Sequence, residues 1–121
     1  MTRVLVGVDT EADNQWDAAD RARLSLRNVR ELPRFQKLCC AYGVRPTYLV
    51  TYEMATDPDS RAILKELRAR GRCEVGSHHH PWTTPPRVEG HLYAMNLPPE
   101  TYRAQLRELT GAVADMAGER R

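Results

Sequence analysis

Short apolar runs and amphipathic stripes alternate along this chain. Residues 3–9, Arg-Val-Leu-Val-Gly-Val-Asp, form a compact β-branched run. Such a continuous apolar stretch suits a strand buried on both faces, as in a parallel sheet. Residues 45–52, Arg-Pro-Thr-Tyr-Leu-Val-Thr-Tyr, repeat the pattern. Residues 72–78, Arg-Cys-Glu-Val-Gly-Ser-His, carry it more weakly, and their place after a helix supports a third strand. Between and after these runs the period changes to that of a helix. Val29, Leu32, Phe35, Leu38, Cys39 and Tyr42 predict a helix over 28–42, regular from Leu32 because Pro33 belongs in a first turn, with Gly43 as its stop. Ile63, Leu64 and Leu67 predict one over 59–70, stopped by Gly71. Tyr102, Leu106, Leu109, Val113 and Met116 predict one over 98–117, opened by Pro98 and Pro99 and closed by Gly118.

The order β-α-β-α-β-α predicts parallel β/α construction in a single α/β domain spanning 1–121. Helix-to-strand connections are brief, at Gly43-Val44 and Gly71, whereas the segments about 10–27 and about 79–97 are long. In parallel β/α folds the loops after the strands build the binding face, so the long segments mark the working end. Both segments carry polar clusters.

Bulk properties narrow the function classes. Eighteen basic and 16 acidic residues give a net charge of +2, spread along the chain. Nucleic acid would call for a concentrated basic stripe, so no nucleic-acid partner is expected. Arg68, Arg70 and Arg72 sit at a predicted helix end, where cations complement the helix dipole. Cys39, Cys40 and Cys73 are odd in number, two of them adjacent, and lack zinc-thiolate spacing, which suggests reduced thiols in a cytoplasmic protein. The N-terminal apolar run is too short for a signal peptide or a membrane span, so no membrane partner is expected.

The first polar cluster is Asp9-Thr10-Glu11-Ala12-Asp13-Asn14, directly after the first strand. It reads either as a solvated turn or as carboxylates offset by a cation. The second is Gly76-Ser77-His78-His79-His80-Pro81-Trp82, after the third strand. In extended chain, residues two apart point the same way, so His78 and His80 share a side and His79 faces elsewhere. Both clusters fall on the same end of the sheet. If the second strand lies between the other two, roughly 10 Å separates their axes, a gap that curvature and inward-leaning side chains can close. A carboxylate with two neutral imidazoles suits Zn²⁺, Co²⁺, Ni²⁺ or Fe²⁺ and leaves coordination positions open. Trp16 and Trp82 could stack on a sugar ring or pin the long loops.

These residues resemble the polysaccharide deacetylase family. The resemblance rests on Asp9-Thr10-Glu11, on His78-His79-His80-Pro81-Trp82-Thr83-Thr84-Pro85-Pro86, on Gly43-Val44-Arg45-Pro46-Thr47-Tyr48-Leu49-Val50, and on the helix opening Leu97-Pro98-Pro99-Glu100. It covers nearly the whole chain but only the front half of such a domain. It implies the first part of a distorted (β/α) barrel and a metal-dependent hydrolase that removes N-acetyl or similar acyl groups from carbohydrate. By position, Asp9 resembles the general base, Glu11 the acidic metal ligand, and His78 and His80 the imidazole ligands, with zinc the foremost metal. Trp16 and Trp82 are the candidate substrate-binding residues.

The chain departs from the family pattern in three places. The family more often has adjacent aspartates, so Asp13 competes with Glu11 for the ligand role. Its histidines are usually four apart, whereas here proline follows His80 and Trp82 holds the fourth position. Family members continue with a strand bearing an arginine motif, where this sequence ends at Glu119-Arg120-Arg121. The alternative reading is therefore a truncated, non-catalytic half-domain that binds metal or carbohydrate. Its uncovered strand edges would favour self-association.

Overall fold

A computed structural model describes residues 1–119. Three strands, β1 (Gly7–Thr10), β2 (Thr47–Val50) and β3 (Glu74–Ser77), form one parallel sheet in the order β1-β2-β3. Five α-helices accompany them: α1 (Ala18–Ala22), α2 (Leu32–Ala41), α3 (Tyr52–Thr56), α4 (Pro58–Ala69) and α5 (Pro99–Ala117). Single 3₁₀ turns occupy Arg27–Glu31 and Ala94–Asn96. The protein is thus α/β with an open three-stranded parallel sheet, and β2 is central, the arrangement under which the two polar clusters can meet.

The strands are shorter than their apolar runs. Pairing of β1 with β2 begins at Gly7↔Thr47. The residue before Thr47 is Pro46, which has no N–H to extend the ladder, and Val4 and Leu5 stand in solvent. The expected strand 45–52 also stops early: Thr51 turns extended chain into α3, and its hydroxyl donates to the Thr10 carbonyl at 3.3 Å. The expected helix 28–42 divides into the 3₁₀ turn and α2, which becomes regular at Leu32.

Alternation in β2 separates two faces. Tyr48 and Val50 enter the core, where they join Val29, Met54, Leu64, Leu67, Leu109, Val113 and Met116. Both β–α–β connections therefore pack on one side of the sheet. The opposite face carries Gly7, Asp9, Thr47, Leu49, Glu74 and Gly76. A Cβ on Gly76 would lie 3.1 Å from the Leu49 side chain and one on Gly7 3.6 Å away, so the two glycines let Leu49 spread across its neighbours.

Helix ends follow local chemistry. Asp57 caps α4 by accepting from the Ser60 N–H at 2.9 Å, and Pro58 fills the first turn. Two helical stripes differ from expectation. Leu38 and Tyr42 of the α2 segment are exposed, while Gln36 is buried in their place. Its amide is satisfied: Tyr48 Oη donates to Gln36 Oε1 at 2.8 Å, and Gln36 Nε2 donates to the Arg72 carbonyl at 3.1 Å. In α5, Tyr102 lies at the surface and Leu106 is half-buried, whereas Gln105 is fully buried. No helix among the described residues is long and apolar enough to cross a membrane. All three cysteines are free thiols.

Candidate metal centre

Glu11 continues the parity of Gly7 and Asp9, and His78 and His80 continue that of Glu74 and Gly76. The ladder carries this alignment beyond the strands, since Thr51 N–H donates to Thr10 O at 3.1 Å and His78 N–H to Val50 O at 2.9 Å. All three side chains consequently lean over the end of the face opposite the core. One ligand atom from each of Glu11, His78 and His80 lies within 4.8 Å of the others, an arrangement that could hold a metal ion.

Glu11 Oε2 is 3.0 Å from His80 Nε2 and 3.4 Å from His78 Nε2, and the two imidazole Nε2 atoms are 3.0 Å apart. On its other side, His78 Nδ1 is 3.4 Å from Asp9 Oδ1. A carboxylate at Nδ1 favours the proton there, which leaves His78 Nε2 as a lone pair facing the cluster. Neutral His80 then has one proton for the space between Glu11 Oε2 and His78 Nε2. A divalent cation could take the place of that shared proton, with the His80 ring proton then carried on Nδ1.

Electrostatics agree with this reading. Burial, then the neighbouring His78 and His79, push His80 down to about 4, so its ring is neutral near pH 7. Its Nδ1 is buried without a hydrogen-bond partner among the described residues. The ring is held instead by Trp82, stacked at a centroid distance of 4.2 Å and 21° between planes. Glu11 is raised above the ordinary carboxyl value by burial, with Asp9 and Glu53 adding to the effect and His78 opposing it. An ionised Glu11 is therefore poorly accommodated until a cation joins it.

The competition between Glu11 and Asp13 is resolved by backbone chemistry. Asp13 turns away and accepts from Ser25 Oγ at 2.5 Å, Arg27 N–H at 3.2 Å and Asn28 N–H at 3.1 Å. Burial pushes this carboxyl up, but these hydrogen bonds outweigh it and hold the group below its usual range. Asp13 is the tie that closes the 10–27 segment and opens the 3₁₀ turn.

His79 faces elsewhere, as the alternation predicts. Its Nε2 is 2.7 Å from Gln105 Oε1, and its ring meets Tyr102 edge-on. Gln105 Nε2 also donates to the carbonyls of Pro81 at 3.2 Å and Pro86 at 2.8 Å. This α5 side chain thereby anchors the segment that carries His80 and Trp82. Trp82 takes the pinning role considered for it: its indole N–H donates to Gln15 Oε1 at 2.9 Å, linking the two long segments, and its ring also lines the site. Trp16 lies 6.2 Å from Trp82 between ring centroids and is largely exposed.

Together these groups line a cleft of about 510 Å³, whose walls include Asp9, Glu11, His78, His80, Trp16 and Trp82. Sequence reasoning missed Gln15, Arg21, Glu53 and Gln105. Asp17 before Ala18-Ala19 is an N-cap signal that would have found α1, and with it Arg21. Buried Glu53 accepts from the Ala12 N–H at 3.4 Å, beside the candidate ligand Glu11, and nothing in its own segment announces that contact. Comparison with known protein families, with curated proteins and with solved structures returned no match to this chain.

Proposed function

We propose that this protein is a metal-dependent hydrolase of the polysaccharide deacetylase type, acting on N-acetyl or similar acyl groups of carbohydrate. The observation that carries the proposal is the meeting of Glu11, His78 and His80 at one point of the sheet end, with Asp9 against His78. The motifs of the acidic and histidine segments supply the reaction class, and zinc is the foremost metal for this nitrogen–oxygen donor set. On this reading the open sheet is the first part of a distorted barrel, and the protein works in the cytoplasm.

A divalent ion in such a site supplies a more acidic water and a polarised acyl carbonyl. The chain's own residues do the rest. Glu11, His78 and His80 fix the site, and neutral His80 offers a lone pair rather than a charge. Asp9 orients His78, and its largely exposed side chain remains able to take the proton released as water attacks. Trp82 and Trp16 present aromatic surface to the apolar face of a sugar ring.

The test is zinc binding by calorimetry, followed by hydrolysis of acetylated amino sugars and small acetyl esters by the zinc-loaded chain. One zinc per chain, lost in His78→Ala and His80→Ala, with deacetylation abolished in Asp9→Asn, is expected. Zinc binding without hydrolysis of any acyl substrate would leave a metal- or carbohydrate-binding module. No zinc binding would end the proposal.

A further inference from the structure

Arg21 is the one arginine or lysine lining the cleft among the described residues. It belongs to α1, in the segment after β1, and no part of the proposed hydrolysis requires it. Its Nη1 donates to the carbonyls of Gln15 at 3.2 Å and Trp16 at 3.0 Å, which fixes one end of the guanidinium against the segment that carries Trp16. A guanidinium has five N–H donors in a fixed fork. The N–H groups on Nε and Nη2 meet no acceptor and no carboxylate among the described residues. Asp9 and Glu11 bring two negative charges to the cleft, and a divalent ion would cancel both. Arg21 is then left as the fixed positive charge of a cleft that Trp16 and Trp82 also line.

We propose that Arg21 makes the cleft selective for a carbohydrate that carries an anionic group, a carboxylate or a phosphate ester, apart from the acyl group that reacts. The proposal rests on the hydrolase reading for the sugar and the metal, but the anion preference is a property of Arg21 itself. Trp16 and Trp82 take the ring face, and the free edge of the guanidinium pairs with two anionic oxygens. Such a fork recognises geometry as well as charge.

The experiment titrates the chain with glucose, glucuronate and glucose 6-phosphate, with and without zinc, in the wild type, Arg21→Gln and Arg21→Lys. At least one anionic sugar is expected to bind about tenfold more tightly than glucose, the factor a charge-assisted hydrogen bond commands. Arg21→Gln should bring that ratio near one while zinc affinity and the melting temperature hold, and Arg21→Lys should keep part of it. A response to glucuronate alone identifies a carboxylate, and to glucose 6-phosphate alone a phosphate. Equal binding of all three sugars by the wild type overturns the proposal, as does an anion preference that survives in Arg21→Gln, because the anion then sits on the metal. Loss of zinc binding in Arg21→Gln makes the residue a structural pin and also overturns it. An Arg21-dependent preference in a chain that binds no zinc supports the anion site and defeats only the hydrolase reading.

Discussion

Replacing Glu11 with glutamine separates the cost of the site from its use. Burial and the nearby carboxylates of Asp9 and Glu53 raise Glu11 above the ordinary carboxyl value of 4.5. A raised folded-state value means that the ionised form is unfavourable in the folded protein at neutral pH, a penalty that disappears as pH falls below 4.5. Glutamine keeps the shape, still offers an oxygen to His80 Nε2, and removes the charge. The metal-free Glu11→Gln protein is therefore expected to melt no lower than the wild type at pH 7.5. Zinc should reverse the ranking. At a free concentration ~100 times its dissociation constant, zinc stabilises the folded state by about 2.7 kcal/mol. Unfolding entropy of ~2.1 cal/mol/K per residue over 121 residues gives about 0.25 kcal/mol/K, so the wild-type melting temperature should rise by roughly 10 °C. If the lost ligand weakens binding ~100-fold, the same zinc concentration stabilises the variant by about 0.4 kcal/mol, or ~2 °C. Differential scanning fluorimetry with and without zinc reads all four values. An equal zinc shift in both proteins would place the ion away from Glu11. A metal-free variant melting well below the wild type would make the carboxylate a structural support instead of a strained ligand.

Three further outcomes follow from the same structure. His80 is held at about 4 against an ordinary value of 6.5, so the unfolded chain binds its proton first as pH falls. Metal-free stability should then decline between pH 6.5 and 4, by at most about 3 kcal/mol at ~1.36 kcal/mol per pH unit. Urea unfolding in the Glu11→Gln background, where the opposing Glu11 titration is gone, measures that slope, and a flat profile would refute it. Gln105→Leu removes the donor to the Pro81 and Pro86 carbonyls and the partner of His79, and should cost roughly 1–3 kcal/mol and weaken zinc binding. Unchanged zinc affinity on calorimetry would show that the histidine segment holds itself. Asp57→Ala deletes the α4 cap and should cost about 1 kcal/mol, some 4 °C, with zinc affinity intact.

Much of this arrangement was legible in the residues because it depends on periodicity. The β/α order, the three longer helices and the pairing of His78 with His80 against His79 all follow from periods of about 3.6 and of 2. What stayed hidden depends on contacts between distant segments. Glu11 and Asp13 share one parity, and only the Ser25, Arg27 and Asn28 donors decide between them. Helices α1 and α3 have five residues each, too few to display a stripe. Gln36 and Gln105 occupy buried positions where the helical pattern promised Leu38 and Tyr102, because each amide meets carbonyl and side-chain partners that the chain brings in from elsewhere. Strand ends were overestimated because apolar content records burial, whereas the ladder stops where a partner strand stops.

The in-register pairing of β1, β2 and β3 has a consequence for how the protein can be checked. Sliding β1 or β3 by one residue against β2 would invert which side chains emerge on each side. Glu11 or the imidazoles would then sink toward the helices, and the cation's seat would vanish, although helix content and compactness could survive. On the proposed zinc-site reading, zinc uptake would serve as an alignment gauge for this sheet: a preparation taking up a full equivalent would have its strands correctly threaded, and a substoichiometric one would contain mispaired chains that a circular dichroism spectrum would pass as native.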